Sequence, residues 1–164
     1  MLFLRPITTE DIAVIHAWPS YGNGFKQMDY ALREQGWLDE FRGRADTLIY
    51  TAISGNKIIG FSLLKRTTDH EAEFRIALHP YEIGRGYGRT VTELTLKTGF
   101  KQLGMEGITL IVRKSNPRAA QLYRSIGFAV TGESTHAIQG KDIDFIDMYM
   151  TRERFNELTI KEMP

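Results

Sequence analysis

One stretch of the chain has residue types and spacing that suit anion chemistry. Ile83-Gly84-Arg85-Gly86-Tyr87-Gly88-Arg89 places glycines at alternate positions among basic side chains. Without a Cβ, glycine reaches backbone conformations closed to other residues, so several N–H groups can converge on one point. A helix starting there adds its dipole, which favours an anion. Gripping a phosphate or diphosphate asks for such an arrangement, and Arg85 and Arg89 add charge beside it. The same glycines also serve a tight strand-to-helix turn with no ligand, and the turn alone leaves both readings open. Two nucleotide motifs are disfavoured. A Walker loop needs Gly-x4-Gly-Lys-Ser/Thr, and no Lys-Ser/Thr follows here. A dinucleotide fingerprint needs G-x-G-x-x-G, and Arg89 stands where the third glycine should fall.

Other chemistries lose their residues at once. The chain has 164 residues and no cysteine, which removes thiolate nucleophiles, disulfides and cysteine-based metal sites. His16, His70, His79 and His136 show no metal-ligand spacing, so no metal is expected. With 21 basic and 20 acidic side chains, net charge gives no general reason to expect nucleic acid or an anionic membrane as partner. The opening run Met1–Leu4 is too short for a signal-peptide core, and no stretch reaches the roughly 20 apolar residues of a membrane span. The expectation is a soluble, cytoplasmic protein with one domain over residues 1–164.

The elements that must position the glycine turn follow from periodicity and punctuation. Met1–Leu4 reads as a strand. Thr8 and Asp11 form a capping box, and the helix after it carries Ile12, Ile15 and Trp18 up to Pro19. Gly22-Asn23-Gly24 is a turn, and Phe25–Phe41 has a second helical pattern weakened by Gly36. Leu48–Ile53 and Ile58–Lys65 flank the turn residues Ser54-Gly55-Asn56-Lys57, which predicts a hairpin. Glu71–Leu78 is a strand, Tyr87–Leu103 the clearest helix, and Gly104 its stop. The apolar Ile108–Val112 suggests a central strand covered on both faces. Asn116-Pro117 starts a helix with Ala119, Leu122 and Ile126 toward the core and Gly127 as its stop. Phe128–Val130 onward and Ile143–Met150 close the chain as strands joined at Gln139-Gly140-Lys141. The strand–helix–strand–helix run from Glu71 to Gly127 implies parallel pairing, so a mixed α/β sheet with helices on both faces is predicted.

Two segments carry a family resemblance. Ala72-Glu73-Phe74-Arg75-Ile76-Ala77-Leu78-His79-Pro80 followed by Gly84-Arg85-Gly86-Tyr87-Gly88 resembles the acetyl-CoA-binding motif R/Q-x-x-G-x-G/A of the GNAT superfamily of N-acetyltransferases. Asn116 to Phe128 resembles the family's N-x-x-A-x-x-L-Y-x-x-x-G-F signature. Glu73–Leu78 and Asn116–Phe128 look most like the spermidine and ribosomal-protein N-terminal acetyltransferase branches. The resemblance implies a GNAT-type α/β fold with a mixed, mostly antiparallel central sheet. It implies transfer of acetyl from acetyl-CoA to a primary amine by direct attack, the amine being a small molecule such as a polyamine or aminoglycoside, or a protein N-terminus. One departure stands out: Ile83 occupies the usual Arg/Gln position, which implies weaker or differently supported donor binding.

Residue roles follow from the same likeness. The backbone of Ile76, Ala77 and Leu78 would pair with the pantetheine arm and polarise the thioester. Gly84, Arg85, Gly86, Tyr87, Gly88 and Arg89 would cradle the diphosphate, and Asn116 would contact the donor. Tyr123 matches the general acid for the leaving thiolate; it otherwise reads as a half-buried helix tyrosine. Glu73 is the first candidate for the base that deprotonates the amine, and an exposed strand-edge glutamate is the plain alternative. Period 2 sets Glu71 and Glu73 opposite Ala72 and Phe74 unless a bulge intervenes. The first two helices, with Trp18, Tyr21, Phe25, Tyr30, Trp37 and Phe41, and the last hairpin would build the acceptor site. Asp142, Asp144 and Asp147 could hold a cationic amine there, or form an ordinary polar turn. Arg85, Arg89, Lys114, Arg118 and Arg124 would gather at the donor end, giving two opposed patches. The resemblance also allows a homodimer built on the closing hairpin. A non-catalytic acyl-CoA-binding or sensing module is the alternative reading, and a phosphate-binding domain unrelated to CoA is a third.

Overall fold

The computed structural model of the protein describes residues 1–22, 28–33 and 35–161. Its elements in order are β1 (Leu2–Pro6), α1 (Thr9–His16), α2 (Asp29–Leu32), α3 (Trp37–Phe41), β2 (Thr47–Ser54), β3 (Lys57–Arg66), β4 (Glu71–Leu78), α4 (Tyr87–Lys97) running into a π-helical turn (Thr98–Gln102), β5 (Gly107–Arg113), α5 (Pro117–Ile126), β6 (Ala129–Ile138), β7 (Lys141–Thr151) and α6 (Arg152–Lys161). The strands lie in the order β1-β2-β3-β4-β5-β7-β6 in one seven-stranded sheet. β4 pairs parallel with β5, while β1/β2, β2/β3, β5/β7 and β6/β7 are antiparallel. This is the mixed sheet that the residue pattern predicts, with the mostly antiparallel pairing that the resemblance implies. No helix among the described residues is long and apolar enough to cross a membrane.

Local chemistry sets most boundaries. Thr8 caps α1 by accepting from the Asp11 N–H, and the Asp11 carboxylate accepts from the Thr8 N–H, so the capping box is complete. The β2–β3 hairpin turns through Gly55 at φ 63° with Ser54 opposite Lys57. The β6–β7 hairpin turns through Gln139 and Gly140, both at positive φ, as a two-residue hairpin requires.

Contacts divide the chain into two compact units: Met1–Arg66 with Arg75–Leu96, and Thr67–Phe74 with Lys97–Pro164. In the first unit, Ile12, Ile15, Leu32, Leu38, Phe41 and Phe61 belong to one buried cluster shared by α1, α2, α3 and the sheet. A second cluster joins Val91 of α4 to Ala52 and Ile59, with Ile76 and Leu78 packed on it. In the second unit, Phe74, Phe100, Met105, Ile108, Leu110 and Phe128 are buried, and Phe155 of α6 stacks on Phe100 with ring centres 5.2 Å apart.

The structure corrects several expectations. Phe25–Phe41 is not one helix: α2 and α3 are separate single turns, split where Gln35 takes φ 65° and Gly36 is extended. A Cβ on Gly36 would lie 2.3 Å from the Tyr30 carbonyl oxygen, so the close passage of backbone on backbone demands glycine. Asn23, Gly24 and Phe25, on which the expected turn and helix start fall, lie outside the described residues. Strand β5 is covered on one face only, since Ile108, Leu110 and Val112 are buried while Ile111 is 36% exposed. In α5 the buried positions are Ala120 and Ile126, whereas Ala119 and Leu122 are half-buried. The last helix, α6, has no counterpart in the expected element order.

Candidate functional site

The glycine turn lies in the first unit. β4 ends at Leu78, and a tight turn follows in which the Glu82 N–H donates to the His79 carbonyl at 2.9 Å. The Tyr81 N–H donates to His79 Nδ1 at 3.0 Å. Burial first, then the positive charge of Lys57, lowers the His79 pKa, with Glu82 opposing. The chain then passes through Gly84 at φ 86° and Gly86 at φ 84°. Those left-handed values favour glycine, and they bend the backbone into the start of α4 at Tyr87. A Cβ on Gly86 would meet nothing within 4 Å, so conformation, not crowding, selects glycine there. The Tyr87 ring packs against the second apolar cluster and anchors the helix start. The Thr90 N–H and hydroxyl both reach the Gly86 carbonyl at 3.4 Å. Arg89 pairs with Glu93 one turn on, at 3.6 Å.

Strand β4 has its side chains committed before this turn. Ala77 is buried in the α1–α3 cluster, and Ile76 and Leu78 pack on the α4 cluster. What this half of the strand can offer a ligand is therefore backbone. The Leu78 carbonyl accepts from the Tyr21 hydroxyl at 2.5 Å, and Tyr21 sits in that role with its pKa raised by burial and then by Asp29. The parallel register of β4 with β5 pairs Glu71 with Gly107, Ala72 with Ile108 and Glu73 with Thr109.

The second unit holds Glu73, Asn116 and Tyr123. Asn116 caps α5: its side chain accepts from the Ala119 N–H at 3.2 Å, and Pro117 follows at the first helical position. At the other end, Gly127 at φ 129° lets the chain reverse, and the N–H groups of Gly127 and Phe128 both donate to the Tyr123 carbonyl. That closure folds Phe128 back under its own helix. The Tyr123 ring is then wedged edge-on between Phe128, at 6.1 Å, and Phe74 of β4, at 6.4 Å. The Tyr-x-x-x-Gly-Phe spacing is thus a device for fixing one phenol. Burial pushes that phenol up to about 12.

The structure does not bring Glu73 and Tyr123 to one face. Ala72 and Phe74 are buried, Tyr123 packs on their side, and alternation sends Glu73 to the other. There it shares a face with Glu71, whose carboxylate accepts from Tyr149 at 2.6 Å. The buried positions of β4 run Ala72, Phe74 and then Ala77, so the period of two slips once in the strand, as a bulge would make it do.

The expected separation of basic and acidic patches fails at Lys114. Its ammonium pairs with Glu133 at 2.6 Å, and its N–H donates to the Asp144 carbonyl at 3.0 Å. Asp144 accepts from Thr135 at 2.9 Å and Asp147 from Ser134 at 2.6 Å, while Asp142 is exposed. Among the described residues no group of three His, Asp or Glu side chains could hold a metal ion.

Sequence reasoning missed Lys57 and Glu82, and named Tyr21 only among the acceptor-site aromatics, not as a partner of the Leu78 carbonyl. Glu82 gave one signal, a lone carboxylate beside a basic glycine turn. The pairings of Tyr21 and Lys57 gave none, because their partners lie 57 and 25 residues away.

Comparison with known proteins supplies what geometry alone leaves open. The chain is 27% identical over 143 residues to the spermidine N(1)-acetyltransferase of Escherichia coli K12, covering 81% of this chain and 75% of that one. A ribosomal protein bS18-alanine N-acetyltransferase of Haemophilus influenzae is 37% identical over 76 residues, 46% of this chain and 51% of the other. The fold is shared with a spermidine N-acetyltransferase from Vibrio cholerae solved with CoA and spermine, at a TM-score of 0.79 and 24% identity, covering 94% and 98% of the two chains. Residues 12–128 match the model of the acetyltransferase (GNAT) family, and that span includes the glycine turn at the head of α4, Asn116 and Tyr123. With the motif, the order of elements and the family model in agreement, the chain belongs to the acetyltransferase (GNAT) family and is an acetyl-CoA-dependent N-acetyltransferase.

Proposed function

We propose that the acceptor is a primary amine of a polyamine, and that it attacks the thioester carbonyl of acetyl-CoA directly. The chain has no cysteine to carry an acetyl group, so one displacement is the simpler route. Ile76, Ala77 and Leu78 pair with the pantetheine arm through their backbone, since their side chains are spent on the core. The N–H groups of Gly84 to Arg89 hold the diphosphate, and Asn116 contacts the donor while capping α5. Holding donor and amine together supplies a large part of the rate through orientation.

The ring-clamped phenol of Tyr123 carries this reading. Pushed up to about 12, it stays protonated throughout the physiological range and always has a hydrogen bond to give. A thiol near 8.5 is the stronger acid, so full proton transfer from this phenol to the thiolate runs uphill. Tyr123 therefore stabilises the leaving thiolate as a hydrogen-bond donor, the thiolate takes its proton from water, and the amine's own proton leaves separately. Glu73 takes that proton, directly or through water, on the opposite face of the sheet from Tyr123. The nucleophile then enters from one side while the sulfur departs toward the other. Glu71 and Glu73 on the amine's side favour a cationic acceptor. The polyamine is preferred over a peptide N-terminus because the spermidine enzyme matches 81% of this chain and the bS18 enzyme 46%. The lack of cysteine also fits a cytoplasmic location.

The test is a panel of amines and peptides followed by thiol release, to which a cysteine-free protein adds no background. Spermidine and spermine should be turned over in preference to a peptide with N-terminal alanine; the reverse order overturns the acceptor assignment. Tyr123→Phe should lower kcat by about 10²-fold, the scale of one positioned proton donor, with CoA affinity retained. Unchanged turnover would remove Tyr123 from the mechanism.

A further inference from the structure

At the entrance to the glycine turn stands an ion cluster that the family match does not assign. The Glu82 side chain is only 5% exposed, yet it is ionised beside two cations: Lys57 Nζ bonds its Oε1, and Arg85 Nη1 lies 3.6 Å from its Oε2. Lys57, more than Arg85 or His79, holds the Glu82 pKa below the usual carboxylate range. The neighbouring residue is Ile83, where the resemblance expects an Arg or Gln to support the donor's diphosphate. Its side chain packs into the apolar cluster of α1–α3, so it offers an anion nothing.

We propose that Lys57, held on Glu82 together with Arg85, supplies the cationic support for the donor's phosphates that position 83 lacks, with Glu82 acting as a positioning residue. This rests on the assignment of Gly84–Arg89 to the donor's diphosphate. Each member is fixed by a different piece of backbone. Lys57 opens β3 directly opposite Ser54, Glu82 is aimed by the His79 turn, and Arg85 lies between the two left-handed glycines. The cluster keeps one net positive charge. The lysine and arginine side chains remain 58% and 65% exposed, so an arriving anion meets cations already in place, and less freedom is lost on binding. A carboxylate removed from water without a partner would be costly, which is why one buried glutamate can hold two flexible side chains. Lysine suits the task as a compact charge with three donors.

The experiment measures the Kd of CoA and of pantetheine, which lacks the phosphates, by calorimetry at one fixed salt concentration. Lys57→Met should weaken CoA about tenfold, the size of one charge-assisted hydrogen bond, and the ratio of the two Kd values should shrink by the same factor. Lys57→Arg should restore most of the loss. Glu82→Gln decides by its sign. It adds a positive charge next to an anionic ligand, so charge alone predicts tighter CoA binding, whereas lost positioning predicts weaker binding. Tighter or unchanged binding in Glu82→Gln overturns the proposal, and so does equal weakening of CoA and pantetheine. If Glu82→Gln does not fold, Lys57→Met decides alone, since its side chain is mostly exposed. Gly86→Val tests the underlying assignment separately. If it leaves CoA affinity intact, the glycine turn is not the diphosphate cradle. If it weakens CoA while Lys57→Met does not, only the ion cluster is excluded.

Discussion

In the first unit, two carboxylates, Asp11 and Glu82, go under cover and take cations with them. Asp11, 4% exposed, receives two guanidinium bonds from Arg5, at 2.5 and 2.9 Å, the Thr8 N–H at 3.0 Å and the Thr51 hydroxyl at 2.9 Å. Glu82 is treated likewise by Lys57 and Arg85. In the second unit, carboxylates stay at least partly in water, and three of them take hydroxyls. Glu71 accepts from Tyr149, Asp147 from Ser134 and Asp144 from Thr135. The difference follows from solvation. A buried carboxylate needs a counter-charge and several donors to replace water, whereas an exposed one needs neither and gains little from either. The charges of Asp11 and Glu82 are therefore structural, and those of Glu71, Asp144 and Asp147 can be changed at smaller cost.

The sharpest way to break that contrast is Asp11→Asn. The amide leaves Arg5 without its counter-ion and weakens the capping box, so a loss of about 3 kcal/mol is expected, at the lower end for breaking a buried pair because Arg5 is partly exposed. Urea unfolding at neutral pH measures it as a shift in midpoint. The Arg5 guanidinium first, and the Thr8 and Thr51 donors after it, hold the Asp11 pKa below its ordinary value. A carboxylate lowered in the fold contributes stability that is present above its unfolded pKa, about 4, and lost as pH falls through the folded value. The gap between wild type and Asp11→Asn should therefore close in acid. A gap independent of pH would mean that shape, not charge, fixes Asp11.

A smaller effect is expected where the first unit uses a cation against rings. Arg75 of β4 lies over Trp37 at 5.3 Å and over Phe41 at 4.8 Å, both on α3. α3 is a single turn of five residues and cannot hold itself together. Arg75→Met keeps length and apolar contact while removing the charge. A loss of about 1.5 kcal/mol is expected, between exposed and desolvated cation–π contacts. A Trp37 emission maximum shifted to the red would place the loss at α3; an unshifted maximum would place it elsewhere.

What could be read from the sequence follows the same line between local and distant interactions. Thr8 and Asp11, Asn116 and Pro117, Gly127, and the turns at Gly55 and Gly140 act within a few residues, and their chemistry is spelled out in order. The left-handed glycines 84 and 86 are of this kind, which is why the turn before α4 was legible. α2 and α3 were not separable, because Gly36 is needed for its approach to the Tyr30 carbonyl, a contact that periodicity does not encode. α6 was missed because its sequence is mostly polar and no residue of it is buried; only Thr151, accepting from the Arg154 N–H at 3.0 Å, marks its start. In α5 Ile126 is in the core as expected, but Ala120 rather than Ala119 joins it. The partners of Glu82 and Leu78 were invisible for want of proximity in the chain.

The mildest substitution tests the second unit on its own terms. Tyr149→Phe deletes the hydroxyl that Glu71 accepts at 2.6 Å and leaves the ring in place. Because Glu71 stays half-exposed, water can take over the vacated bond, and about 1 kcal/mol should be lost at neutral pH. The hydrogen bond to Glu71 first, then burial, pushes the Tyr149 phenol up to about 12. A group whose pKa is raised by folding contributes stability that is full below its unfolded pKa, near 10, and lost as pH rises through the folded value. The difference between wild type and Tyr149→Phe should therefore hold from neutral pH to about 10 and shrink toward 12. In Glu71→Gln the same phenol should ionise at lower pH, read by absorbance titration against wild type. A phenol that titrates alike in both proteins would show that the carboxylate in this unit is no more than a solvated neighbour. The contrast with Asp11 would then be one of kind rather than degree.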